Sequence, residues 1–273
     1  MTDVVPKPFV RFVGGKTQLL PELRRHVPAT YNRYYEPFVG GGALFWELAP
    51  RDAVLSDTNP AIIIAYAQLR DAVGVVIDYL RDLAKEHAMD ARATFDRERA
   101  ATRMWCNCAQ CAARFVYLQK VGYNGVWRTN RSGIYNAPLG KFGKPPTICD
   151  EPLLRACSQR LQGVTILAHD FVNVMPSAKA GDFVYCDPPY VPASDTANFT
   201  GYTRDGFTMA DQERLRDAAW MLKQRDVHVV LSNADVPEVR ALYKDFTIHA
   251  VKARRNVNSN PDKRGKVGEV IIT

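Results

Sequence analysis

Short apolar runs and helical periods alternate at both ends of the chain. Tyr34 to Val39 reads as a strand, Gly40-Gly41-Gly42 as a tight turn, and Ala43 to Leu48 as a helix. Ala53 to Ser56 is a second strand that ends at Asp57, and Pro60 sits well in the first turn of a helix to about Arg70. Val164 to Leu167, Phe183 to Cys186 and Val227 to Leu231 are further strands, apolar and rich in β-formers. Helices are expected from about Leu19 to His26 and from Thr208 through Arg225, where Thr208 and Asp211 resemble a capping box. Phe246 to Lys252 and Val267 to Ile272 read as a closing hairpin. These elements predict an α/β fold with a Rossmann-like mixed sheet.

The middle of the chain follows a different period. From Asp71 to about Lys120 it is helical, with segments at Val75 to Ala84, Ala91 to Arg103 and Cys111 to Lys120. Val121 to Pro146 breaks the period, and Ile134-Tyr135-Asn136 reads as one arm of a β-hairpin around Asn130 to Gly133. This is a mostly helical insertion carrying a hairpin. The division is 1–59 for the first part of the sheet domain, 60–148 for the insertion and 149–273 for the rest of the sheet domain.

Charge sharpens that picture. The chain carries a formal net charge of +7, and its distribution says more than the sum. No Asp or Glu occurs from Arg99 through Cys149, while Arg99, Arg103, Arg114, Lys120, Arg128, Arg131, Lys141 and Lys144 do. Tyr123, Trp127, Tyr135 and Phe142 are interleaved, with Asn124, Asn130 and Asn136. Basic groups neutralise phosphates, Arg and Asn can read base edges, and rings can stack or wedge between bases. A nucleic-acid partner is expected in preference to an ordinary solvated basic face. The chain reads as lacking an apolar run of the roughly 18 residues that span a bilayer, and Met1 to Lys7 has no signal-peptide pattern. A cytoplasmic protein with no membrane contact is expected. Cys106, Cys108 and Cys111 cluster without a second ligand pair at zinc-finger spacing, so they read as reduced, buried thiols and no metal is expected.

Candidate chemistry falls at strand carboxyl ends, where open α/β sheets bind ligands. Gly40 to Gly42 allow close backbone approach, although Phe45 replaces the third glycine of a dinucleotide fingerprint. Asp57 is placed to bind ribose hydroxyls, or with Asn59 to cap the next helix. Gly14-Gly15-Lys16 resembles a phosphate loop only superficially, because Val10 stands where the first glycine belongs. Asp187-Pro188-Pro189-Tyr190 stops its strand hard, setting a carboxylate just before two prolines and a ring just after. A plain surface turn is the competing reading. Ser194 to Gly206 reads as a mobile lid. The basic loop with Arg254, Arg255, Lys263, Arg264 and Lys266 is either a phosphate contact or merely solvated. His228, alternating within its strand, reads as structural.

Together these motifs resemble the Dam family of DNA adenine N6-methyltransferases. The matching stretches are Arg11 to Lys16, Glu36 to Gly42, Asp57 with Asn59, Asn124 to Asn130, Gly133 to Gly140, Asp187 to Tyr190, Thr196 to Thr200, and Arg254-Arg255 with Lys263 to Val270. They cover nearly the whole chain. Phe12 stands where the family usually has Trp, and Glu36 where Asp is frequent. The resemblance implies a Rossmann-like methyltransferase sheet and S-adenosylmethionine as methyl donor, leaving S-adenosylhomocysteine. It implies donor contacts from Phe12, Lys16, Glu36, Phe38, Gly40, Gly42, Asp57 and Asp187, with Asp170 and Phe171 at the adenine end. Asp187, Pro188, Pro189 and Tyr190 would be catalytic. The Asp187 carboxylate and Pro188 carbonyl would accept the two amine hydrogens, and Tyr190 would stack on a flipped adenine. Residues 60–148 would recognise double-stranded DNA through Tyr123, Asn124, Arg128, Asn130, Arg131, Tyr135, Asn136, Pro138 and Lys141, with GATC as the site. A different DNA site or an RNA substrate is the alternative. A monomer in solution, with more than one copy on DNA, and a bacterial or phage-type protein are expected.

Overall fold

The computed structural model describes residues 4–12, 14–191, 206–254 and 266–273. The expected lid, the Thr196 to Thr200 motif and most of the terminal basic loop lie outside them. The chain forms two compact units, one of residues 1–15, 40–49 and 59–166, the other of residues 16–39, 50–58 and 167–273.

The second unit is built on the sheet. Its strands are β1 (Tyr34–Glu36), β2 (Ala53–Ser56), β3 (Thr165–Leu167), β4 (Phe183–Cys186), β5 (His228–Ala234), β6 (Ile248–Arg254) and β7 (Lys266–Ile272), in the order β3-β2-β1-β4-β5-β7-β6. The division between units falls within β3. β1 pairs in parallel with β2 and β4, and β4 with β5, so their carboxyl ends share one edge. β1, β2 and β4 are buried along their whole length, which is why β2 and β4 read as near-continuous apolar runs rather than alternating ones. β7 enters antiparallel between β5 and β6, giving the expected mixed sheet and hairpin. Strand order reverses between β1 and β4, the switch point at which such sheets bind ligands.

The unit's helices are α1 (Leu20–Arg24), α7 (Phe171–Val174), α8 (Met209–Lys223) and α9 (Pro237–Leu242). Thr208 and Asp211 make the expected capping box on α8. α1 is shorter than the stretch Leu19 to His26, whose first residues follow a 3-10 turn at Lys16–Gln18. His228 is structural, as read: its ring nitrogen Nε2 lies 2.9 Å from the His26 carbonyl.

The first unit is mainly helical, with α2 (Ala43–Leu48), α3 (Pro60–Met89), α4 (Ala91–Ala100), α5 (Ala109–Val121) and α6 (Glu151–Leu161). α3 joins two segments that read as separate helices, and only Ala72 departs from helical geometry (φ −144°, ψ 37°). By length and composition alone α3 is long and apolar enough to cross a membrane, although Arg70 and Asp71 interrupt its apolar run. Its buried residues, among them Ile62, Leu69, Ile77 and Leu80, belong to a helix that packs mainly on α5 and α6. The hairpin is present as single bridges, Thr129 to Tyr135 and Gly122 to Leu139, rather than as full strands. The cysteines also depart from expectation. Cys111 is buried, but Cys106 is exposed and its sulfur lies in bonding contact with that of Cys108.

Candidate active site

In the sheet unit, β4 delivers Asp187 at the edge, and the following residues are held by side chains from distant strands. Asp187 Oδ1 accepts a hydrogen bond from Ser232 Oγ at 2.8 Å and pairs with Lys16 Nζ at 2.9 Å. Lys16 is buried, and its ammonium also lies 4.6 Å from the centre of the Tyr190 ring. One cation therefore serves both the carboxylate and the aromatic face. The Tyr190 hydroxyl donates to Glu269 Oε2 at 2.8 Å. Burial, reinforced by the Asp187 and Glu269 carboxylates, raises the Tyr190 phenol well above its ordinary pKa, so it remains a neutral donor. Cys186 is likewise kept a thiol, chiefly by burial.

The two prolines differ in their carbonyls. Gln212 Nε2 donates to the Pro189 carbonyl at 2.9 Å, and Gln212 Oε1 accepts from Asn233 Nδ2 at 2.9 Å. Asn233 Oδ1 accepts in turn from the Ala234 and Val191 backbone N–H groups. Among the described residues, the Pro188 carbonyl accepts no hydrogen bond. Ser232, Asn233, Gln212 and Glu269 are absent from the expected site residues. Only Ser232-Asn233 gave a local signal, a polar pair at the end of an apolar strand. Because Gln212 and Asn233 are both buried, Gln212→Ala leaves a buried carbonyl and a buried amide without their partners. We expect it to lower unfolding free energy by about 1–3 kcal/mol, measured by urea titration. An unchanged midpoint would show that the turn holds itself.

The other expected donor residues of this unit form a second group. Phe38 stacks on Phe171 at 5.4 Å between centroids and meets Phe207 edge-on at 5.7 Å. The Arg214 guanidinium lies 5.4 Å from the Phe171 ring centre and reaches Asp170 Oδ1 at 3.8 Å. Asp170 also caps α7 through the Val172 N–H, a structural task beside any ligand role. Asp57 is partly exposed at the end of β2, and its backbone N–H bonds to the Leu167 carbonyl at 3.3 Å. Asn59, not Asp57, supplies the helix cap, accepting from the Ala61 N–H. Glu36 is buried and accepts from the Tyr34 hydroxyl at 2.8 Å.

In the helical unit, the glycine turn is a backbone cradle. The Gly41 carbonyl accepts from Trp46 Nε1 at 3.1 Å and the Gly40 carbonyl from the Tyr66 hydroxyl at 3.3 Å. A Cβ on Gly40 would lie 3.3 Å from the Phe12 ring, so Phe12 packs directly on the cradle. Trp46 and Tyr66 read only as helix residues in the sequence.

The residues of the same unit expected to meet DNA divide between surface and interior. Tyr123, Asn124, Arg128, Asn130, Arg131, Pro138 and Lys141 are exposed. Asn124 has left-handed backbone (φ 52°). Arg128 Nε donates to Asn136 Oδ1 at 2.7 Å, so Asn136 aims the guanidinium. Asn130 Oδ1 accepts from the Ser132 and Ile134 N–H groups at 2.9 and 3.0 Å, closing the turn. Tyr135 corrects its expected place at the DNA. It is 1% exposed, its hydroxyl bonds to the Val126 carbonyl, and its ring packs on Trp127 at 5.1 Å.

The sequence has counterparts among known proteins. Residues 12–257 match the model of the D12 class N6 adenine-specific DNA methyltransferases. The type II methyltransferase M1.LlaDCHI of Lactococcus lactis is 41% identical, covering 98% of this chain and 95% of that protein. The type II methyltransferase M.MjaIII of Methanocaldococcus jannaschii is 34% identical over 94% and 95%. The DNA adenine methylase of Vibrio cholerae is 33% identical over 96% and 94%. With the family model spanning most of its length, the chain belongs to the D12 class of N6 adenine-specific DNA methyltransferases, and it is an adenine-specific DNA-modifying enzyme.

Proposed function

We propose that the enzyme transfers a methyl group from S-adenosylmethionine to the N6 amine of an adenine flipped out of duplex DNA, within GATC. The observation that carries this is the contrast between the two proline carbonyls. Pro189's is tied down by Gln212, while Pro188's has no partner among the described residues and follows directly on the Asp187 carboxylate. An exocyclic amine has two hydrogens and a delocalised lone pair. Two acceptors draw that nitrogen toward a tetrahedral geometry and restore its nucleophilicity. Asp187 then offsets the positive charge that develops on nitrogen, an electrostatic role rather than that of a strong base. Tyr190, fixed by Glu269, offers the ring for stacking.

The donor supplies an electrophilic sulfonium methyl. Its binding is proposed for Phe12, Lys16, Glu36, Phe38, Gly40, Gly42, Asp57, Asp170, Phe171 and Asp187, the residues to which the family resemblance points. The fit rests on a glycine cradle with no side chains of its own, a partly exposed carboxylate after β2, and the Phe38–Phe171–Phe207 cluster. The functional division proposed is 1–59 and 149–273 for catalysis and 60–148 for DNA, which differs from the division into compact units. We take the enzyme to be cytoplasmic and DNA-associated, binding as a monomer with more than one copy along a duplex.

Arg128 is proposed to read guanine bidentately. Arg128→Ala is expected to relax choice at one position by about 1–3 kcal/mol, measured by methylation of duplexes differing at single bases. A uniform loss over all duplexes would make it a phosphate contact. The whole proposal is tested with labelled S-adenosylmethionine and duplexes with or without GATC. Incorporation into adenine of GATC alone supports it. Incorporation elsewhere moves the site, and none at all, with donor binding intact, overturns it.

A further inference from the structure

We propose that Cys106, Cys108 and Cys111 form a site for a thiophilic divalent ion, Zn²⁺, at the start of α5. The three sulfurs lie within 4.8 Å of one another. A tetrahedral zinc ion with Zn–S bonds of about 2.3 Å sets its sulfurs roughly 3.8 Å apart, so seating one requires the Cys106 and Cys108 sulfurs, now in bonding contact, to part while the Cys106–Cys111 spacing of 3.4 Å changes little. The placement follows from the backbone. Cys108 is the residue before the first turn of α5 and Cys111 lies within that turn, while Cys106 comes from the preceding loop and its sulfur is 3.4 Å from that of Cys111.

The surroundings suit anionic sulfur. The Cys106 backbone N–H and Arg114 Nη1 both point at Cys111 Sγ, at 3.4 and 3.5 Å. Arg114 is itself fixed by Glu98, with Nε donating at 2.9 Å in a buried pair. The helix start adds its positive end. N–H donors to ligand sulfur are the usual outer partners of thiolate metal sites.

The bonding contact between Cys106 and Cys108 offers a rival, a redox pair. A disulfide uses two sulfurs and leaves Cys111 out, although Cys111 is the one supplied with hydrogen-bond donors. An enzyme acting on DNA in cells also works among small-molecule thiols that keep such pairs reduced. Binding releases the thiol protons to solvent, and no bond other than S–H and metal–sulfur changes. Among the described residues the group contains no fourth His, Cys or carboxylate, which leaves the fourth position open to water.

The site would brace a particular piece of chain. Trp105, next to Cys106, packs on Trp127 at 5.7 Å, and Trp127 packs on Tyr135 beneath the recognition hairpin.

The test uses full-length, freshly reduced protein and Co²⁺ alone. One equivalent should give an intense near-ultraviolet thiolate-to-cobalt band, bleached by one equivalent of Zn²⁺. Cys106→Ser, at an exposed position, should lose most of that intensity, and Cys111→Ser should lose it too. Cys149→Ser should keep it. In the unaltered protein, Zn²⁺ should slow alkylation of three cysteines at least tenfold. No band, a band unchanged by Cys106→Ser, or a Cys106–Cys108 disulfide that survives thiol reductant would overturn the proposal. None of these readouts depends on methyl transfer.

Discussion

Asp187→Asn is expected to lower the single-turnover rate of methyl transfer by about two to three orders of magnitude, the scale of losing one preorganised electrostatic group. Asparagine keeps the size and can still accept from Ser232 Oγ, which stands 2.8 Å from the native oxygen. What it removes is the negative charge proposed to face the amine and the ion pair with Lys16 at 2.9 Å. Lys16 then remains, buried and over the Tyr190 ring, as a positive charge beside a nitrogen that must itself become positive. The defect should therefore appear in the chemical step. DNA affinity, measured by fluorescence anisotropy, should stay within a few-fold, because the contacts proposed for DNA lie on residues 123–141. Asp187→Ala should be at least as severe. A variant retaining a tenth of the native rate would show that the Pro188 carbonyl suffices and that the carboxylate is dispensable.

Gly42→Ala is expected to raise the donor's dissociation constant tenfold or more. Two separate costs act at this position. Gly42 has φ +65°, a left-handed backbone that a side chain makes less favourable by about 1–2 kcal/mol. The added Cβ would also lie 2.6 Å from the Tyr66 hydroxyl and 3.2 Å from Trp46 Nε1. Those are the two groups that hold the Gly40 and Gly41 carbonyls, so relieving the crowding undoes the cradle. Calorimetric titration with S-adenosylmethionine reads the effect directly. Thermal melting without donor separates it from general destabilisation. Native donor affinity in the variant would place the donor away from this turn.

The strands that lead to the site were legible because burial on both faces leaves an unbroken apolar run, as in Phe183 to Cys186. The turn residues were legible because glycine and proline restrict the backbone whatever surrounds them. What could not be read was convergence. Ser232 reaches Asp187 across 45 residues and Glu269 reaches Tyr190 across 79, and no local pattern marks such pairs. Helices α6 and α9 escape the sequence reading although Pro stands in the first turn of each, because Pro152 after Asp150-Glu151 and Pro237 after Asp235-Val236 read equally well as loop. α3 was divided because Asp71 to Gly74 weakens the helical period, yet only Ala72 leaves the helix. Tyr135 illustrates the opposite error. Ring chemistry suited DNA, but a hydroxyl bonded to Val126 and a face against Trp127 make it the hairpin's anchor.

That anchor, with the turn closed by Asn130, bears on how DNA is met. Ordering a free loop costs about 1–2 kcal/mol per residue in backbone entropy. In this hairpin that cost falls on folding and not on association. If residues 123–141 read DNA as proposed, the duplex meets a hairpin whose Arg128 is already aimed by Asn136, and discrimination between sequences would be decided by fit at first contact rather than by a loop that moulds itself to each.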